Sequence, residues 1–302
     1  MSVLVVGSVA LDSVETPHGR REEILGGSAS YFSIAARLFC PVYLVAVVGA
    51  DFPQHHTDLL QSRGVDLHGL EKAAGRTFRW RGRYSDDMNS VETLATELNV
   101  FEHFHPVVPD EWRNADHVFL ANIDPDLQIE VLAQIRKPKI SVLDTMNFWI
   151  ARKQDSLRRA LAQVDVALLN YGEILSLTGK ARIVDAAEAV LDIGPSVVAV
   201  KLGEYGAALY SRDFRFTVPA YPVSHVIDTT GAGDSFAGGF LGHLAECGEL
   251  DEAALRRAAA CGVVTASFAV EGFSVEGLCR ADREALRERL RGLQSLSHFD
   301  VL

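Results

Sequence analysis

Uninterrupted apolar stretches of the roughly 20 residues that span a bilayer are missing from this 302-residue chain. Missing too is a basic segment ahead of the first apolar run. Met1-Ser2 leads straight into Val3-Leu4-Val5-Val6, which is too short for the apolar core of a signal peptide and suits a first strand. Both absences point to a cytoplasmic protein without a membrane partner. Cysteine is scarce. Cys40, Cys247, Cys261 and Cys279 form no C-x-x-C pair and no Cys/His spacing of a zinc site, which leaves reduced, structural thiols. Positive charge is in deficit, with 29 Lys and Arg against 40 Asp and Glu for a net −11. That balance excludes a general nucleic-acid binder, which needs a cationic field. It does not exclude an anionic small ligand, because backbone dipoles bind one inside an acidic protein. Repeats, low-complexity segments and long linkers are absent, and 48% hydrophobic with 23% charged residues excludes disorder for the bulk of the chain.

What is present is an alternation of short apolar runs and helical stretches. Val3–Val6, Val42–Val48, His117–Ala121, Ile140–Leu143, Val166–Leu169, Val197–Val200, Ala207–Tyr210 and Phe214–Val218 are predicted strands. Several are continuously apolar, the pattern of strands covered on both faces, as in a parallel sheet. Between them fall helices such as Ser28–Leu38 and Pro125–Ile135, the latter with Asp124 as N-cap and Pro125 as first helical residue. Asp251 is placed to cap a helix through Ala253–Ala266, and Leu286, Leu290 and Leu293 make the apolar stripe of a last helix. The whole implies a doubly wound α/β sheet. One segment departs from it. In Phe78-Arg79-Trp80-Arg81-Gly82-Arg83-Tyr84 the aromatics fall on one face and the arginines on the other. This predicts a small accessory sheet, a lid, whose apolar face is covered either by substrate or by a second copy in a homodimer through the lid.

The segment richest in chemistry is Val226-Ile227-Asp228-Thr229-Thr230-Gly231-Ala232-Gly233-Asp234-Ser235-Phe236. Small residues followed by a helix start let successive amides point at one spot, an anion hole for a phosphoryl group. A carboxylate at its lip, Asp234, repels phosphate but accepts a proton from a hydroxyl that attacks phosphorus; the alternative is that it only caps the helix. A nicotinamide dehydrogenase lacks support, since Gly7 has no G-x-G-x-x-G around it, and a Walker-type ATPase is excluded by the absence of G-x-x-x-x-G-K-[S/T]. His55-His56 and His103/His105 have no third ligand at convincing spacing.

Asp228-Thr229-Thr230-Gly231-Ala232-Gly233-Asp234-Ser235-Phe236 closely resembles the C-terminal signature of the ribokinase-like carbohydrate kinases, the PfkB family. Four further elements follow in that family's order: Val6–Asp12, Gly26-Gly27, Asn170-Tyr171-Gly172-Glu173 and Val200–Gly206. The resemblance implies one ribokinase-like domain over 1–302, with an inserted β lid from roughly 12–27 and 76–102. It implies an ATP-dependent kinase that phosphorylates a hydroxymethyl group of a small sugar, or alternatively of a nucleoside. Asp234 would be the base, with Gly231, Ala232 and Gly233 as the phosphoryl hole. Asp12, ending the first strand, would bind substrate hydroxyls together with Gly26 and Gly27. Tyr31 stands where relatives often carry asparagine, and Tyr31, Phe78, Trp80 and Tyr84 are candidates to stack on a base. Asn147, in the Asp144–Asn147 segment after a strand, is a further substrate candidate. Nucleotide would meet Asn170, Glu173, Lys201, Gly203 and Gly206, with Asn170 and Glu173 serving Mg2+ through water. Asp228 and Thr230 would serve a monovalent cation, K+.

Overall fold

Two sheets organise the chain in the computed structural model, which describes residues 1–298 and Asp300. In chain order the strands are β1 (Val3–Val6), β2 (Ala10–Thr16), β3 (Gly19–Gly26), β4 (Val42–Gly49), β5 (Val65–Ala73), β6 (Arg79–Tyr84), β7 (Val91–Glu97), β8 (His117–Leu120), β9 (Ile140–Asp144), β10 (Val166–Asn170), β11 (Val197–Lys201), β12 (Ala207–Tyr210) and β13 (Arg215–Val218). The α-helices are α1 (Ser28–Ala36), α2 (Gln54–Ser62), α3 (Pro125–Gln134), α4 (Asn147–Arg152), α5 (Gln154–Leu161), α6 (Tyr171–Thr178), α7 (Ile183–Leu191), α8 (Ala232–Cys247), α9 (Glu252–Ala269), α10 (Glu276–Arg280) and α11 (Arg283–Ser297).

The larger sheet has nine strands in the order β13-β12-β11-β10-β9-β8-β1-β4-β5. It is parallel from β11 to β5 and antiparallel only at β11–β12 and β12–β13. The continuous apolar runs behave as expected of strands covered twice. Val3 and Val5 face one core while Leu4 and Val6 face the other. Burial of each such side chain is worth about 1.5–3 kcal/mol. The first core is built with α1, α8 and α9, and the second with α3, α5, α6 and α7. Close approach in the first core depends on small residues. A Cβ on Gly238 of α8 would stand 2.6 Å from the Phe32 carbonyl oxygen of α1, while the Phe32 ring stacks on Phe119 of β8 at 4.2 Å. The caps read from the sequence are present: Asp124 accepts from the Asp126 amide and Asp251 from the Ala254 amide. Edge strand β5 has no counterpart among the expected strands, because it is half-exposed and carries charges along its length.

Strand order reverses at β1, with β4 and β5 on one side and β8 onward on the other. Ligand crevices of open α/β sheets lie outside the carboxyl ends of the strands at such a reversal. Polar residues sit there: Asp144, Asn170 and Lys201 are the last residues of β9, β10 and β11.

The second sheet is four-stranded and mixed, in the order β3-β2-β6-β7. β2 pairs antiparallel with β3 and parallel with β6, and β6 pairs antiparallel with β7. This corrects the expectation for Asp12. The first strand ends at Val6, and Asp12 lies inside β2 of the small sheet rather than at the end of β1. Asp12 stands directly opposite Trp80, so the two share one face, which Tyr84 continues. Arg79 is on the other face, where it pairs with Glu23 at 2.9 Å and Asp51 at 2.8 Å. Phe78 does not share the aromatic face. It stacks on Phe101 at 5.3 Å and joins the second core. Among the described residues no helix is long and apolar enough to cross a membrane.

Candidate active site

The Gly26-Gly27 pair explains how an aspartate comes to be buried under the lid. A Cβ on Gly26 would fall 2.0 Å from Asp12 Oδ2, so this position has to be glycine for the carboxyl to occupy its place. Gly27 has φ 87°, in the region that favours glycine, and its amide donates to the Asp12 carboxyl. Asp12 is 4% exposed. Burial, reinforced by Asp228 and Asp234, pushes its pKa up to about 7.

The loop before α8 follows the same logic. Val226–Asp228 is not a strand; the amides of Ile227 and Asp228 bond the Val270 carbonyl. Asp228 Oδ1 accepts from the Thr230 amide at 2.8 Å, while Oδ2 is buried without a partner, and burial raises its pKa. Gly231 turns the chain at φ 74° into the helix. A Cβ there would meet the Tyr31 ring at 2.3 Å. Tyr31 is therefore the floor under the turn, 1% exposed, and its ring has no free face to stack on a base. Its hydroxyl is buried without a partner, and burial together with Asp12 and Asp228 raises its pKa far above the usual tyrosine value. Asp234 lies in the first turn of α8, whose N-cap is Gly231, and its carboxyl accepts a hydrogen bond from its own amide. It is half-buried at the cleft. Its surroundings of protein atoms, and next the charge of Asp144, push its pKa up to about 7 against the opposing pull of Lys201.

Across the cleft, Asn170 and Glu173 form a reciprocal capping box at the start of α6. The Glu173 amide donates to Asn170 Oδ1 at 2.9 Å and the Asn170 amide to Glu173 Oε2 at 2.7 Å. Glu173 is buried, which raises its pKa to about 7, with Asp144 and Asp234 adding to the effect and Lys201 opposing it. Lys201 reaches from β11 to Asp144 on β9, Nζ to Oδ2 at 2.6 Å. Burial disfavours its charge, but Asp144, Glu173 and Asp234 together hold its pKa above the usual lysine value. A Cβ on Gly233 would lie 3.2 Å from Lys201 Nζ, which puts the ammonium at the wall of the turn that begins α8. Gly203 and Gly206 adopt φ 61° and 98° around a short 3-10 turn at the mouth.

The lid tip closes the ring. Thr230 Oγ1 and the Tyr84 hydroxyl are 3.0 Å apart, Thr229 Oγ1 donates to the Met88 carbonyl at 3.2 Å, and Asn89 Nδ2 donates to Glu204 at 3.4 Å. Asp12, Glu173, Lys201, Asp228 and Asp234 thus converge, with Asn170, Tyr31 and the Gly231–Gly233 turn among them. Asn147 does not join them; it starts α4, exposed beside Met146 and Phe148. Asp144, three residues earlier, is the member of that Asp144–Asn147 segment inside the cluster, in place of the Asn147 that the sequence singles out. Its signal was available, a charged residue closing the apolar run Ile140–Leu143. Of the four aromatics offered for stacking, Phe78 and Tyr31 are packed away and Tyr84 is tied to Thr230. Trp80 is partly exposed on the face of Asp12, with its indole laid over Gly82 and its Nε1 donating to Thr93 Oγ1 at 3.3 Å.

Among the described residues no three His, Cys, Asp or Glu side chains form a metal cage. The sequence pattern of pfkB family carbohydrate kinases matches residues 2–275. The chain is 30% identical over 247 residues to the cytidine kinase of Thermococcus kodakarensis, covering 80% of this chain and 87% of that one. It is 32% identical over 212 residues to the ATP-dependent ribose-1-phosphate kinase of Halopiger xanaduensis, covering 68% of each. The fold superposes on the nucleoside kinase of Methanocaldococcus jannaschii, an archaeal member of the ribokinase family, with a TM-score of 0.78 at 20% identity, over 96% of this chain and 98% of that one.

Proposed function

The chain belongs to the pfkB family of carbohydrate kinases, phosphotransferases acting on a sugar or nucleoside hydroxyl, and from that premise we propose that its acceptor is a nucleoside. The observation that carries the proposal is the pairing of Asp12 with Trp80 on one face of the lid. Paired strands lie about 4.7–4.9 Å apart, so the two residues are neighbours on that face. A carboxylate beside a partly exposed indole, held in place over Gly82, suits a ligand with a diol at one end and a flat ring at the other. Asp12 accepts from the ribose hydroxyls and Trp80 stacks on the base. The likeness to a cytidine kinase supports the same class.

In this reading Asp234 takes the proton from the ribose hydroxymethyl group as its oxygen attacks the γ-phosphorus and the bond to the ADP oxygen breaks. The transferring group is held at the start of α8. The Ala232 amide already bonds the Thr229 carbonyl at 3.2 Å, so we assign the donors to Gly231 and Gly233. Lys201 supplies the positive side chain, and Gly203 and Gly206 let the backbone approach the nucleotide. Asn170 and Glu173 would serve Mg2+ through water, since Asn170 Oδ1 and Glu173 Oε2 are engaged in the capping box; magnesium, when bound, would neutralise charge on the phosphates. The unpartnered Asp228 Oδ2, with Thr230, fits a monovalent cation such as K+. A homodimer through the lid would use its outer face, where Arg83 meets Glu15 and Glu92. The unpaired cysteines and the use of ATP suit the cytoplasm.

The test is ADP release with cytidine, other nucleosides and free sugars, in wild type and Trp80→Ala. Base–aromatic stacking is worth about 1–3 kcal/mol, so KM for nucleosides should rise about 5- to 150-fold in the variant. Turnover of free sugars should not change. Free sugars used as well as nucleosides, or a nucleoside KM indifferent to Trp80, would refute the assignment.

A further inference from the structure

We propose that Asp144 is a positioning residue, which aims the Lys201 ammonium at the transferring phosphoryl group and keeps it off Asp234. The inference rests on reading the Gly231–Gly233 turn as the phosphoryl site. Lys201 and Asp144 end β11 and β9, with β10 between them. The lysine side chain therefore crosses the end of one strand to reach its partner, at 2.6 Å, with side-chain exposures of 15% and 3%. Asp144 is itself held from two directions. Its Oδ1 accepts from the Thr145 amide at 2.9 Å. Its carbonyl accepts from Gln128 Nε2 at 3.0 Å, and the same fully buried Gln128 also binds the Ala121 carbonyl at 2.9 Å.

Three carboxyl groups surround one ammonium here: Asp144, Glu173 and Asp234. A lysine on a flexible four-carbon stem is a mobile point charge. If it settled on Asp234 it would neutralise the group that has to take the proton, and it would turn away from the phosphate. The rigid Asp144 outcompetes Asp234 for the ammonium and fixes Nζ at the wall of the turn, 3.2 Å from the Cβ position of Gly233. From there it meets an incoming phosphate oxygen without a search over rotamers. Gln128 and the Thr145 amide carry that order back into the core.

The test compares Asp144→Asn, Lys201→Met and the double variant by two measurements: the ATP-to-ADP affinity ratio by calorimetry without acceptor, and turnover with acceptor. Lys201→Met should lose ATP affinity relative to ADP and about 10²–10³-fold in kcat, as for removal of one donor to a developing charge. Asp144→Asn should lower the same ratio and cost about 10- to 100-fold in kcat, since a displacement of about 1 Å has effects of that size. The acceptor KM should stay within about twofold in both, and the double variant should be no worse than Lys201→Met alone, as for residues acting through one another. Asp144→Glu, which keeps the charge, should recover part of the ATP-to-ADP ratio; a merely structural role would not give that rescue. Losses that multiply in the double variant, or an Asp144→Asn protein with the wild-type ratio, would overturn the proposal. A wild-type protein that releases no ADP with any acceptor would instead count against the kinase reading, and the affinity ratio decides for Asp144 in either case.

Discussion

Replacing Asp12 by asparagine should make the protein more stable while disabling it, and the size of the gain should depend on pH. The carboxyl is 4% exposed, and its pKa is pushed from 3.8 to about 7, chiefly by burial. At about 1.36 kcal/mol per pKa unit the displacement amounts to about 4 kcal/mol. Below pH about 4 the group is protonated in folded and unfolded chains alike, so its pKa displacement changes nothing. As pH rises through 3.8 the unfolded chain ionises while the folded one stays protonated, and stability drains away until pH passes about 7. Asparagine has no charge to desolvate and keeps an oxygen for the Gly27 amide. Its advantage should be near zero at pH 4 and reach about 2–4 kcal/mol at pH 8, after allowance for a slightly weaker hydrogen bond. Urea midpoints of both proteins at pH 4, 6 and 8, with m-values compared, measure this directly. A variant equally destabilised at all three pH values would refute the reasoning, because it would mean that the ionised carboxylate is already well paired. Acceptor KM should rise in parallel, the trade of stability against function expected of a binding group held in a poor solvent.

Two further outcomes follow from the same geometry. Asp234→Asn should lose about 10²–10⁴-fold in kcat, the usual weight of general-base catalysis, while binding ATP as before. In the wild type kcat/KM should fall on the acid side with an apparent pKa near 7, since the base works only when deprotonated; a flat profile from pH 5 to 9 would remove Asp234 from that role. Gly26→Ala puts a methyl 2.0 Å from Asp12 Oδ2 and should cost about 1–3 kcal/mol of stability, as overpacking does. Its acceptor KM should rise more than its KM for ATP, which steady-state kinetics on both substrates will show.

The sheet was legible because its strands announce themselves one by one. Val3–Val6 or Val166–Leu169 is apolar at every position, and only a strand covered on both faces needs that. Edge strand β5 escaped for the opposite reason: its half-exposed pattern tolerates charge, and its place depends on β4 beside it. The motifs pointed to the turn before α8, but residue types could not say which side chains would be open. Tyr31 and Trp80 read alike as aromatics near a cleft. One became the floor beneath Gly231 and the other stayed on the face of Asp12, a difference made by packing between segments far apart in the chain. Asp144 and Lys201 are separated by 57 residues, and only the order β9-β10-β11 brings them together.

The charge balance of the cleft bears on why such a site needs cations at all. Asp12, Asp144, Glu173, Asp228 and Asp234 share it with a single ammonium, Lys201, and a polyanionic nucleotide has to enter. The amino end of α8 offers roughly half a positive charge, which falls off within one turn. Lys201 is already committed to Asp144 at 2.6 Å. Two features lower the barrier before any metal arrives. Asp12, Glu173 and Asp234 have pKa values near 7, so near neutral pH they carry well under three charges between them. The acidic groups also come from three separate places, the lid, the signature loop and the strand ends. On the proposed reading, a cleft arranged in this way would repel bare phosphate and accept it together with cations, the condition under which Asp234 would be deprotonated beside the phosphoryl group. Loading with nucleotide and activation of the base would then be one electrostatic event.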